Sequence, residues 1–150
     1  MKTFYPNTEH GIVNRVQNSI FRYQGWPTVA RDENGTLHPE NMKAALEKLK
    51  DLGVSTWAVI HCPEMGCGID EKGNYFELPS LRLPAGYIQG TVGAGDAFCA
   101  GILYAAEKGL AMPQALKMGV CTAAASLSAM GASEGVKTAD EVLKLYDLYG

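Results

Sequence analysis

No stretch of this 150-residue chain approaches the ~20 consecutive apolar residues that a membrane-spanning helix needs, so it offers no transmembrane candidate. Positive charge is also short: 13 Lys and Arg stand against 16 Asp and Glu, a formal net charge of −3. Chains that live on phosphate-backbone contacts are basic, so nucleic acid is not the expected partner. The opening residues, MKTFYPNTEHG, hold one lysine and no apolar segment. A signal peptide is therefore not expected, and the chain is expected in the cytoplasm. Cysteine is limited to Cys62, Cys67, Cys99 and Cys121, which a reducing compartment keeps as thiols. Cys62 and Cys67, with His61 beside them, are a fragment of a metal-ligand pattern. No second Cys or His pair stands at zinc-like spacing, so buried thiols are the preferred reading and no metal ligand is assigned. Cys99 and Cys121 lie in small-residue runs and read as packing residues. Internal repeats and low-complexity linkers are absent.

What is present is the balance of a globular protein: 47% hydrophobic and 19% charged residues. This length predicts one domain over 1–150, able to bury a core without disulfides. Residues 1–35 are the least legible, with a turn signal at Asp32-Glu33-Asn34-Gly35. From Pro39, the stretch PENMKAALEKLKDLG places Met42, Ala45, Leu46, Leu49 and Leu52 at helical spacing, with Pro39 in the first turn and Gly53 as C-terminal stop. VSTWAVIH reads as a buried strand, and a helix leading straight into it predicts a parallel α/β layer. GCGIDEKGNYFEL predicts a hairpin turning at 70–74. After Asp96 the run AFCAGILYAAEKG is helical and closes at Gly109. MPQALKMGVCTAAASLSAMG predicts a helix from near Pro113 to Gly131. TADEVLKLYDLYG opens with Thr138 and Glu141 in capping-box spacing. The expected core is Leu46, Leu49, Trp57, Val59, Ile60, Phe98, Ile102, Leu103, Leu116 and Leu127.

The stretch GTVGAGDAFCAG, residues 90–101, carries the chemistry. Gly93 and Gly95 allow backbone angles and close approaches that a side chain would block. The first N–H groups of the helix that follows have no intrahelical acceptor, and the helix dipole favours an anion there. A phosphate is the natural guest. A carboxylate beside it is explained if Asp96 accepts the proton of a hydroxyl attacking that phosphate. The plainer alternative stays open: Asp in a first turn stabilises a helix by ~0.3–1 kcal/mol, and Gly-Ala-Gly can be a tight turn. No Gly-Lys-Ser/Thr follows, so this is not a Walker A loop. Phe98 stands where a dinucleotide fingerprint has its third glycine, which disfavours a nicotinamide-dependent oxidoreductase.

GAGDAFCAG, Gly93 to Gly101, closely resembles the C-terminal signature of the ribokinase-like (PfkB) carbohydrate kinases, usually Asp-Thr-Thr-Gly-Ala-Gly-Asp-x-Phe-x-x-Gly. The surroundings also resemble that family: a helix and strand like 39–61, a hairpin like 66–78, a small-residue helix like 113–129, a turn like Gly131-Ala132 and a last helix like 139–148. The likeness covers about 39–148 and leaves the first 38 residues poorly matched. It implies an α/β fold, a Rossmann-like layered sheet with flanking helices, and phosphoryl transfer from ATP with Mg²⁺ to a hydroxyl of a sugar or nucleoside. Asp96 matches the family's catalytic base, and Gly93, Ala94 and Gly95 match its anion hole. Residues 120–124, including Val120 and Ala123, are implied near the adenine.

The sequence departs from the family pattern in several places. Gly90 replaces the usual first Asp, which helps bind a monovalent cation in many members, and Val92 replaces a frequent Thr. Pro63 replaces a glycine in the Gly-Glu-x-Gly element, although Glu64 and Gly66 remain. Val120 stands where many members have Asn. PNTEH near the start has Asn7 and Glu9, but His10 at the position where an Asn-x-x-Glu motif has its Glu. A solvated turn competes with a site role there. Family members run to roughly twice this length, and nothing here resembles their sugar-binding half. The implied chain is thus the nucleotide-binding, catalytic-base half. The alternative is a non-catalytic nucleotide-binding or interaction module. An incomplete sheet is expected to leave an open edge and an apolar patch, favouring a homo-oligomer or a separate complementary half.

Overall fold

A computed structural model describes residues 11–13, 32 and 34–150. The chain divides into two compact units, one made of residues 1–62 with 67–76 and the other of 63–66 with 77–150.

In the first unit, helix α1 (Pro39–Asp51) begins with proline in its first turn and buries Met42, Ala45, Leu46 and Leu49. These four fall on one stripe because their spacing follows the helical repeat. Leu52, the next apolar residue, caps the helix instead of continuing it and is 45% exposed. Gly53 follows at φ +105°, where an L side chain would be strained. Lys50 closes this end by donating to the carbonyls of Ser55 and Thr56 at 3.0 and 2.6 Å.

Strands β1 (Gly11–Val13), β2 (Ala58–Cys62), β3 (Met65–Ile69) and β4 (Tyr75–Pro79) form one sheet in that order. β1 and β2 are parallel, with Ile12 opposite Val59. Among the described residues the expected parallel layer goes no further. β2 and β3 are joined by Pro63 and Glu64 alone, and so short a link permits only antiparallel pairing. The expected hairpin is present between β3 and β4: Asp70 accepts the N–H groups of Lys72 and Asn74 at 2.9 and 2.8 Å, and Gly73 sits at φ +85°. In β2, Ala58, Val59 and Ile60 are fully buried, and α1 packs against this strand. Trp57, expected in the core, lies half-buried at its start because its indole N–H donates to the exposed Glu71 carboxylate at 3.0 Å.

In the second unit, α2 (Ala94–Glu107) packs on α3 (Met112–Ser126), and α3 on α4 (Ala139–Tyr149). α2 buries Ala97, Phe98, Gly101, Ile102 and Ala105. Asp96, Ala100, Leu103, Tyr104 and Glu107 form the opposite, exposed stripe. Leu103 is therefore corrected from core to surface at 51% exposure, whereas Ile102 is fully buried. Ile102→Ala is expected to cost ~2–5 kcal/mol, while Leu103→Ala stays within ~0.5 kcal/mol of wild type. Denaturant midpoints of the two variants check this.

α3 ends at Ser126, five residues before Gly131. The hydroxyls of Ser126 and Ser128 donate to the carbonyls of Ala123 and Ala125 at 2.7 and 2.8 Å, and the Ala125 carbonyl is thereby satisfied without the Ala129 N–H, which reaches the Ser126 carbonyl at 3.4 Å instead. Leu127 caps the helix and is half-buried, not core. α4 opens with the expected capping box: Thr138 accepts the Glu141 N–H, and Glu141 accepts the Thr138 N–H at 3.0 Å. All four cysteines are free; Cys62, Cys67 and Cys121 are buried, and Cys99 is half-buried. Burial pushes the Cys121 thiol up to about 11.

Candidate functional site

The stretch singled out in the sequence forms the start of α2. Gly93 is its N-cap, in the left-handed region at φ +82°, and no side chain caps the helix. The first intrahelical bond runs from the Ala97 N–H to the Gly93 carbonyl at 2.8 Å. The N–H groups of Ala94, Gly95 and Asp96 thus precede the regular ladder, and that of Ala94 makes a long 3.4 Å contact with the Thr91 carbonyl. A helix start supplied with amides but no side-chain acceptor suits an anion. Asp96 occupies the third helical position and is exposed. Its charge, after burial, is the second reason the neighbouring Cys99 thiol is pushed up.

A second segment lies against this turn. The Gln89 N–H donates to the Leu127 carbonyl at 2.8 Å. A Cβ on Gly90 would stand 2.9 Å from the carbonyl oxygens of both Ala129 and Met130. A Cβ on Gly93 would stand 2.8 Å from the Cβ of Ala132. Any side chain at position 90, including the aspartate usual in the resembling family, requires the 129–130 backbone to move. The sequence places 129–130 in the expected helix and Gly131-Ala132 in a turn; that these residues wall the glycine loop is not legible in it.

Not every glycine of the motif serves the turn. A Cβ on Gly101 would stand 2.8 Å from the Met118 carbonyl and 2.9 Å from the Gly119 Cα. Gly101 therefore lets α2 and α3 approach backbone to backbone. Gly66 has a similar duty: a Cβ there would meet the Phe98 ring at 2.9 Å. Glu64 is exposed, and its carbonyl accepts the Ser80 N–H at 2.8 Å.

Of the other expected site residues, Val120 is only 4% exposed, so its side chain packs in the interior and offers little surface to a ligand. Ala123, one turn on along α3, is partly exposed. Asn7, Glu9 and His10 lie outside the described residues. Among the described residues no group of three or more His, Cys, Asp and Glu is gathered as a metal site, and no helix is long and apolar enough to cross a membrane.

The fold is that of the ribokinases. The chain aligns with the ribokinase of Thermotoga maritima at a TM-score of 0.59 and 23% identity, over 70% of this chain and 34% of that one. It aligns with Arabidopsis thaliana ribokinase, solved with ribose and ATP, at a TM-score of 0.61 and 23% identity, over 71% and 33%. With the nucleoside kinase of Methanocaldococcus jannaschii the values are 0.59 and 22%, over 73% and 38%. The chain thus spans about a third of the length of these kinases. Compared with curated proteins, the sequence finds no match. The family model described as pfkB family carbohydrate kinase matches residues 30–139, and the chain belongs to that family.

Proposed function

We propose that this chain carries the nucleotide-binding, catalytic-base side of an ATP-dependent kinase acting on a hydroxyl of a sugar or related small molecule. The observation that carries the reading is the start of α2: a left-handed glycine cap, no capping side chain, and an exposed carboxylate at the third position. ATP supplies the phosphoryl group, and Mg²⁺, riding on its phosphates, neutralises their charge. Magnesium held mainly by phosphate and water needs no protein cage.

The chain's own part is positional. The Gly93–Gly95 backbone holds phosphate oxygens through N–H groups that need no reorganisation when charge develops. Asp96, one residue on, takes the proton of the attacking hydroxyl. In this reading Ala123, partly exposed on α3, lies on the base side of the nucleotide, and the buried Val120 supports that part of α3 from within.

Calorimetric titration with Mg²⁺–ATP tests the binding step. Gly95→Val keeps the backbone N–H but sets a branched side chain where the phosphate must approach, which weakens charged hydrogen bonds each worth about 1.5–3 kcal/mol. Affinity is then expected to fall about ten- to a hundredfold with helix content unchanged by circular dichroism. Equal affinity in a folded variant removes the turn from the site. Because the chain spans a third of its structural neighbours, a second reading is a module that binds nucleotide without turnover. ATP binding with no phosphorylated product from any sugar or nucleoside would select it.

A further inference from the structure

The walls of the glycine turn have no slack. The 129–132 backbone fills the space beside Gly90 and Gly93, so the turn keeps its shape only if that segment keeps its own. Two contacts hold the segment from its far side. Gly135 sits directly on the Ala125 carbonyl, in a buried position where no side chain fits. Glu134, exposed to solvent, folds its side chain back over Gly131: its carboxylate accepts the Gly131 N–H at 3.3 Å, and its carboxyl carbon lies 2.7 Å from where a Cβ on Gly131 would stand. The Val136 N–H closes the same turn onto the Ser133 carbonyl at 3.2 Å.

From this chain of contacts we infer that Glu134 is a positioning residue for the glycine turn. It braces Gly131, Gly131 fixes its neighbour Ala132, and Ala132 presses on Gly93, whose left-handed backbone sets where the Ala94 and Gly95 N–H groups point. The link to ligand binding rests on the reading above, that this turn receives phosphate. The brace itself does not. Among the described residues Glu134 makes no ion pair, and the Gly131 N–H needs only an acceptor oxygen. An acceptor oxygen of the same reach, with the same volume over Gly131, performs the same task. A carboxylate near a phosphate site acting through its charge would instead weaken anion binding.

Three proteins separate these roles: wild type, Glu134→Ala and Glu134→Gln. In the absence of ligand, ¹⁵N relaxation reads the order parameters of the Gly93, Ala94 and Gly95 amides. Wild type and Glu134→Gln are expected near the ~0.85 of rigid backbone, with Glu134→Ala falling toward ~0.6, and with thermal midpoints close together because the residue is exposed. Unchanged order parameters in Glu134→Ala overturn the inference whatever the nucleotide does. Titration with Mg²⁺–ATP then reads the consequence: Glu134→Ala is expected to bind about three- to tenfold more weakly, the loss of one hydrogen bond's worth of ordering, and Glu134→Gln within twofold of wild type. Tighter binding by both variants shows a charge effect and overturns the positioning role. Order parameters that respond as expected in a protein that binds no Mg²⁺–ATP uphold the brace and remove the nucleotide reading.

Discussion

Asp96→Asn is expected to lower turnover by ~10²–10⁴-fold, the usual share of a general base, while leaving Mg²⁺–ATP affinity nearly intact or somewhat improved. The amide keeps the shape of the side chain and its place at the third position of α2, but it cannot take a proton from the attacking hydroxyl. Any gain in affinity comes from removing a negative charge beside the phosphates. The loose transition state of phosphoryl transfer makes positioning of this group more important than its basicity. The exposed stripe of α2 sets that position: Asp96 shares it with Ala100 and Leu103, so the carboxylate is turned away from the α2–α3 contact. The measurement is steady-state kinetics on a catalytically competent assembly, paired with calorimetry. If Asp96 only stabilised the helix, the variant would lose ~0.3–1 kcal/mol of stability and keep its rate. Turnover within a few-fold of wild type in a folded protein would end the assignment.

Phe98→Ala is expected to cost ~3–5 kcal/mol, a loss large enough to unfold a marginal domain. Phe98 lies two residues after Asp96 and is 2% exposed. Its ring is pinned from two sides. A Cβ on Gly66 of β3 would come within 2.9 Å of the ring, and a Cβ on Gly119 of α3 within 2.8 Å. The slot exists because both glycines lack a side chain, and emptying it leaves a cavity that a strand and a helix cannot easily collapse. Gly66→Ala should also destabilise, since the ring cannot retreat from one glycine without striking the other. Phe98→Leu supplies the missing room. The double variant Gly66→Ala/Phe98→Leu should then be more stable than the sum of the two single losses, by ~0.5–3 kcal/mol. Urea midpoints measure the cycle. Strict additivity would show that the ring does not occupy this slot. The motif residues thus divide by duty: Phe98 and Gly101 dock α2, while Gly93 to Asp96 form its partly exposed start, where the proposed chemistry lies.

The elements legible in the sequence are those written in local signals. The stripe of α1 needs only the spacing of Met42, Ala45, Leu46 and Leu49, and its end needs only Gly53. The hairpin turn needs Asp70 and Gly73, whose side-chain acceptor and backbone freedom act within five residues. The Thr138–Glu141 box closes within three. The end of α3 was less legible, because serines that cap their own helix look the same in sequence as serines that continue it.

The sequence by itself determined the helices and the hairpin, the glycine turn before α2 and the family to which that turn points, since each depends on residues a few positions apart. Only the tertiary structure decided which face of α2 is buried. Ile102 and Leu103 are adjacent and equally apolar, so no periodicity chooses between them; the backbone approach at Gly101 and Gly119 does, turning Ile102 inward and leaving Leu103 and Asp96 in solvent. The same holds for the pairing of Gly66 with Phe98 and of Gly93 with Ala132. A glycine in a sequence reports that space is needed, but not which distant atoms will fill it, because those atoms arrive only when the chain has folded.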